Sequence, residues 1–230
     1  MEDKKLKHTE LEMMALKEEL NEMWTLVLSQ LEKSKQAFLN KDVELAREVT
    51  SREKRVNAFE LKIDSDGENY IALYNPVAID LRLVLSIIKI SSTLERIGDF
   101  AEGIARHVIE DEFTQMDSAV IEELQIETMF DITTSMLMDS FVALESENTK
   151  LSGKILAKDD QIDELYNKSI YTLSDFIQKN PEQAICGLKT MLLIRKLERI
   201  GDHCSNIVEE IVFYIDAKVL KHAKKFKTRR

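Results

Sequence analysis

Apolar residues recur along this chain at spacings of three and four over long stretches, the period of a helix with one buried face. Leu83, Ile87, Ile90, Leu94, Ile97, Ala101, Ile104 and Val108 form an unbroken heptad seam of the kind that packs helices into bundles. A second seam, Leu193, Leu197, Ile200, Cys204, Ile207, Ile211 and Tyr214, repeats it and sets Cys204 in register with Ala101, as a small core residue. Punctuation predicts six helical stretches, at 6–39, 42–74, 76–113, 118–151, 154–179 and 181–221. Asn75-Pro76 and Asn180-Pro181 each read as an N-cap asparagine before a proline at the first helical position, with Gln183 as a capping-box partner for Asn180. The loops between stretches are short, so successive helices should be antiparallel neighbours.

The hexapeptide LERIGD stands at 94–99 and again at 197–202, an offset of 103, while the two Asn-Pro pairs are 105 apart, so a two-residue gap reconciles them. The chain is therefore an internal duplication. The expected fold class is all-α: two tandem pseudo-symmetric three-helix bundles, residues 1–113 and 114–230, joined near 111–117. In that register 42–55 of the second stretch answers to the region before Gln161 in the fifth.

Composition agrees with helix throughout. The 230 residues are 44% hydrophobic, enough for a real core, and only six glycines and two prolines interrupt them. No leader pattern opens the chain, and its most apolar stretch, LRLVLSIIKISSTL, carries Arg82 and Lys89, so a cytoplasmic protein is expected. Cys186 and Cys204 lie 18 positions apart in one expected helix, about 27 Å at a helical rise, which rules out a bridge between them and suits a reducing compartment.

Net charge is −10, yet the last 13 residues hold seven Lys or Arg and no acid, which leaves −17 on the rest. An acidic body argues against nucleic acid as a partner. The basic tail reads as a solvated helix end that complements the macrodipole, with contact to anionic lipid or an acidic protein as the second reading.

The candidate chemistry lies beside the seams. Glu95 and Asp99 share one helix face, with Glu102 a turn on, and Glu198, Asp202 and Glu209 lie close to one face in the second copy. Like charges four apart cost a few tenths of a kcal/mol, and mid-helix Gly98 and Gly201 about 1 kcal/mol each relative to alanine. The plain reading is solvated acids, paired with Arg96 and Arg199, and glycines that admit a neighbouring helix. The facing stretches supply the other reading: Asp159 and Asp163 in the fifth, Glu53 and Asn57 in the second, are again four apart. Opposed pairs would offer hard oxygen donors suited to Mg²⁺, Ca²⁺, Mn²⁺, iron or zinc. The four histidines build no ligand set, and no Glu-x-x-His occurs, which counts against a ferritin-like storage protein or oxidase. No phosphate loop, nucleophile elbow, CxxC or HExxH is present, and Trp24, Met136 and Met138 read as core. A metal-free helical scaffold is the third reading.

RVNAFELKID, NPVAIDLRLVLSIIKISSTLERIGDFAEGI and LLIRKLERIGDHCSNIVEEI resemble the PhoU family of phosphate-uptake regulators, in order and spacing from about Glu12 to Val212. The resemblance implies a non-enzymatic cytoplasmic adaptor that represses the phosphate-starvation response, working between a sensor histidine kinase and the ATPase subunit of the high-affinity phosphate transporter. It also implies a homodimer that meets the membrane only through these partners. Some members hold multinuclear iron or zinc through (Glu/Asp)-x-x-x-Asp motifs, which fall here on Glu95 and Asp99, Glu198 and Asp202, and Asp159 and Asp163. Two departures stand out: Asn57 where the family usually has an acid, and Gly103 where the second copy keeps the family's Asn206. They imply tighter metal binding in the second half.

Overall fold

The computed structural model describes residues 2–110, 116 and 118–220, with side chains from His8 onward. Among these residues there are seven α-helices, six of them long: α1 Glu2–Asn40, α2 Val43–Tyr74, α3 Ala78–Ile109, α4 Ser118–Glu123, α5 Ile126–Glu145, α6 Ser152–Lys179 and α7 Ala184–Asp216. Helices α1, α2 and α3 pack on one another, α5, α6 and α7 do the same, and the two groups meet side by side along α3–α7 and α1–α5.

Both heptad seams are buried along their whole length, so one continuous apolar core runs through the two bundles. Each fully buried Leu or Ile contributes about 1.5–3 kcal/mol, which is what outweighs the acids and glycines beside them. The α3–α7 pair is antiparallel: Arg82 Nε donates to the Tyr214 carbonyl (3.0 Å), Lys89 pairs with Glu210 (3.0 Å), and at the far end Lys189 pairs with Glu110 (3.7 Å). Between α1 and α5 the Trp24 indole donates to the Leu137 carbonyl at 3.3 Å, and Lys35 reaches Glu127 and Asp131.

The duplication also shows in the caps. Asp42 accepts from the Leu45 amide at the start of α2, and Asn148 accepts from the Lys150 amide in the 3-10 turn Thr149–Leu151 ahead of α6. Asp42 and Asn148 are 106 residues apart.

Several boundaries differ from the sequence reading. The fourth stretch is not one helix, because Gln125 sits in the left-handed region (φ 53°) between buried Leu124 and Ile126, and turns the chain so that both reach the core. Asn75 is not an N-cap: it ends α2 in the left-handed conformation (φ 48°) with its amide bonded to the Ile71 carbonyl, and α3 starts three residues later. Asparagine tolerates that conformation better than most residues. Asn180 and Gln183 form no capping box, since the Asn180 side chain donates back to the Phe176 carbonyl and 181–183 is a 3-10 turn. Met138 is exposed, whereas Met136 and Trp24 are core. Helix α7 stops at Asp216, not at 221; the sequence beyond 220 and the expected junction at 111–117, Met116 apart, lie outside the described residues.

Candidate metal-binding faces

The two copies of LERIGD lie where each long helix crosses its partner. A Cβ on Gly98 would stand 3.3 Å from Val56 Cγ1 and 3.4 Å from Gln30 Oε1, and one on Gly201 would stand 3.2 Å from Asp159 Oδ1 and 3.6 Å from Ile162 Cγ2. The glycines therefore admit α2 and α6 to close range, as the plain reading required. Val56 and Ile162 are thereby counterparts, 106 residues apart like the caps, and the same register matches Glu53 with Asp159 and Asn57 with Asp163.

In the first half the acids of α2 and α3 act on one another. Burial, followed by the charge of Asp99 and then of Glu60 and Glu53, raises the Glu95 carboxyl to about 7, with Arg96 opposing. Asp99 is also raised, by desolvation and then by Glu53, Glu102 and Glu60. Asn57 Nδ2 donates to Glu53 Oε1, while Asn57 Oδ1 is buried with no hydrogen-bond donor, as is Asp64 Oδ1 two turns further along α2. Asp64 is raised by burial and then by Glu60 and Glu68.

In the second half Glu198 is half-buried and raised by desolvation and Asp202, with Asp163 adding and Arg199 and Arg195 opposing. Asp159 is only 5% exposed, packed at Gly201. Asp202 is neutralised in part by Arg199 at 3.1 Å, the pairing expected from the sequence. In the first copy Glu102 pairs with Arg106 at 2.6 Å.

The structure thus brings Glu53 and Asn57 opposite Glu95 and Asp99, and Asp159 and Asp163 opposite Glu198 and Asp202. Asn206 is exposed on α7. At its first-half counterpart, Gly103, a Cβ would fall 2.7 Å from Lys196 Cε, because the Lys196 chain crosses Gly103 to set its Nζ 3.2 Å from His107 Nε2. That explains the missing asparagine: the other bundle fills its place. Glu60 and Asp64 escaped the sequence reading, although Glu53, Asn57, Glu60 and Asp64 follow the same four–three–four spacing as the seams.

Among the described residues no three His, Cys, Asp or Glu side chains are gathered as a ready-made metal site. The donor chemistry nevertheless suits a hard cation: oxygen ligands only, carboxyls raised by burial and then by mutual repulsion, and two buried oxygens lacking donors. Among the described residues no helix is long and apolar enough to cross a membrane.

Comparison with known proteins agrees with this architecture. A family model described as the PhoU domain matches twice, over residues 20–108 and 126–211. The phosphate-specific transport system accessory protein PhoU of Edwardsiella tarda is 34% identical over 200 residues, 87% of this chain and 81% of that protein. PhoU of Escherichia coli K12, of the same description, is 31% identical over 92% of this chain and 86% of its own. The crystal structure of PhoU from Pseudomonas aeruginosa superposes with a TM-score of 0.86 at 27% identity, covering 91% of this chain and 99% of that one. That of the phosphate transport system regulatory protein PhoU from Streptococcus pneumoniae gives 0.79 at 28% identity, over 92% and 98%. With two matched repeats, two bundles and close relatives over nearly its whole length, the chain belongs to the PhoU family of phosphate transport accessory proteins, which are regulators rather than enzymes.

Proposed function

We propose that this protein is a cytoplasmic, homodimeric phosphate-signalling adaptor that represses the phosphate-starvation response by coupling the ATPase of the high-affinity phosphate transporter to a sensor histidine kinase. Its two carboxylate faces hold metal ions, iron or zinc by family resemblance, with Mg²⁺, Mn²⁺ and Ca²⁺ also suited to the donors. A cation would be held by Glu53, Asn57, Glu95 and Asp99 in the first half and by Asp159, Asp163, Glu198 and Asp202 in the second, with Asn206 beside the latter. It would supply the positive charge that keeps α2 on α3 and α6 on α7.

The observation that carries the metal reading is Glu95, held near 7 by burial and three neighbouring acids. Because Arg199 already offsets Asp202, the electrostatics favours the first face as the tighter one, the reverse of the order expected from Asn57 and Gly103. Elemental analysis of purified wild type beside Glu95→Gln and Glu198→Gln with Asp202→Asn tests both points. Equal metal in all three sinks the metal reading. The adaptor role is tested by deleting the gene and measuring phosphate-starvation transcripts in rich phosphate, where derepression is expected and unchanged transcripts would refute it.

A further inference from the structure

At the end of the molecule where α1, α3, α5 and α7 converge, a cavity of about 230 Å³ opens between the two bundles. Leu20, Leu83, Ile87 and Leu144 form its floor, Glu18, Glu145 and Glu147 stand at its rim against Lys17, and the Tyr214 hydroxyl donates to Glu147 at 2.7 Å on one side. The volume falls short of the roughly 300 Å³ at which small-molecule sites begin, and suits one large side chain better than a cofactor.

The duplication shows what fills such a hollow. Thr190 and Cys186 lie 103 residues after Ile87 and Leu83, the offset of the two LERIGD copies, so they line the equivalent place at the opposite end. There Met116, which is 5% exposed, packs its sulfur 3.6 Å from Thr190 Oγ1. Met116 belongs to the segment that follows α3. The segment in the same position after α7 is the C-terminal one, and it starts beside the cavity, since Tyr214 lines the wall and α7 ends at Asp216. Val219, the residue in register with Met116, is 71% exposed and does not enter.

Beyond Leu220 the sequence reads KHAKKFKTRR, with Phe226 as the one large apolar residue among lysines and arginines. The six residues from Leu220 to Phe226 span up to about 20 Å when extended. An apolar floor under an acidic rim matches an aromatic ring flanked by cations. We propose that the cavity between the bundles is the docking socket of this chain's own basic C-terminal segment, with the Phe226 side chain taking the place that Met116 takes in the other half.

The test uses the full chain. Met14, on the cavity wall and 65% exposed, is paired as Met14→Cys with Phe226→Cys, and Leu61→Cys on the outer face of α2 serves as the control partner. Under mild oxidation the first pair should cross-link at least ten times faster than the control, at the mass of one chain. A rate equal to the control overturns the proposal, as does a cross-link found only between two chains, which would assign the socket to a second copy. Independently, trypsin should release the basic segment about ten times faster from Phe226→Ser than from wild type at low salt. Equal release rates would overturn the proposal without any appeal to the cysteine variants.

Discussion

The ring of Phe100 stacks on the imidazole of His203, centroids 5.6 Å apart and planes 27° from parallel. Each is the residue that directly follows its copy of LERIGD, 103 positions apart, so equivalent positions of the two halves touch each other. In an antiparallel pair related by pseudo-two-fold symmetry this happens only at the axis. The axis between the bundles therefore passes between α3 and α7 beside the repeated motif, and the two carboxylate faces flank it.

His203 is buried there, and desolvation, followed by repulsion from Arg199 and Arg96, lowers its pKa to about 4. A histidine whose folded pKa lies below its unfolded value contributes stability above about pH 6.5 that is lost as pH falls towards 4. His203→Phe keeps a ring on Phe100 and removes the titration. After discounting for the solvent that still reaches the ring, the variant should gain about 2 kcal/mol on wild type at pH 4 relative to pH 8. Urea midpoints of metal-free protein across that range check it, and parallel pH profiles would contradict it.

Glu95 titrates with the opposite sign. Its folded pKa is raised, so its contribution is fully present below about pH 4.5 and is lost as pH rises through about 7. In chelator-treated protein Glu95→Gln should abolish that loss and be more stable than wild type at pH 8 by on the order of 1 kcal/mol, since the group is only partly buried and screened. A cation competes with the same proton, so Mn²⁺ affinity should rise by up to about tenfold per pH unit below 7. Calorimetric titrations at pH 6 and 8 that give the same affinity would remove Glu95 from the ligands.

The glycines should respond differently to alanine. At Gly98 and Gly201 the new methyl meets Val56 and the Asp159 carboxylate on packed helices, which offsets the helix-propensity gain of about 1 kcal/mol and leaves both variants less stable. At Gly103 it meets only the far end of Lys196, which can swing aside, so Gly103→Ala should be stabilising by about 0.5–1 kcal/mol. Thermal melts of the three variants decide it. Stabilisation at Gly98 would show that α2 is not held at the distance described.

Cys204 is fully buried in the α7 seam and its thiol is pushed well above the ordinary range by burial and then by Asp159. It should resist alkylation in the native protein and react only on unfolding. Mass spectrometry after iodoacetamide, with and without urea, reads this directly. Rapid native labelling of Cys204 would mean that the core at Asp159 opens.

Much of this molecule is written in local periods. The seams from Leu83 to Val108 and from Leu193 to Tyr214, the duplicated LERIGD and the opposed acidic pairs were all legible, because spacings of three and four place side chains on one face whatever lies beyond it. The turn at Gln125 was not, since no glycine or proline marks it and only the burial of Leu124 and Ile126 requires it. Asn75 carried a signal that fits either end of a helix, and the left-handed end prevailed. Glu60 shares the spacing of Glu53 and Asn57, yet belongs to the face only because α3 lies against it.

The sequence by itself determined the helices, their duplication and which face of each is apolar, since these follow from one residue's distance along the chain to the next. Only the tertiary structure decided that Phe100 meets His203, that Lys196 covers Gly103, and that Met116 packs on Thr190 while a cavity lies between Ile87 and Tyr214. Those facts depend on how segments more than 70 residues apart in sequence are set against each other, and that registry comes from the packing of whole faces, which no local period encodes.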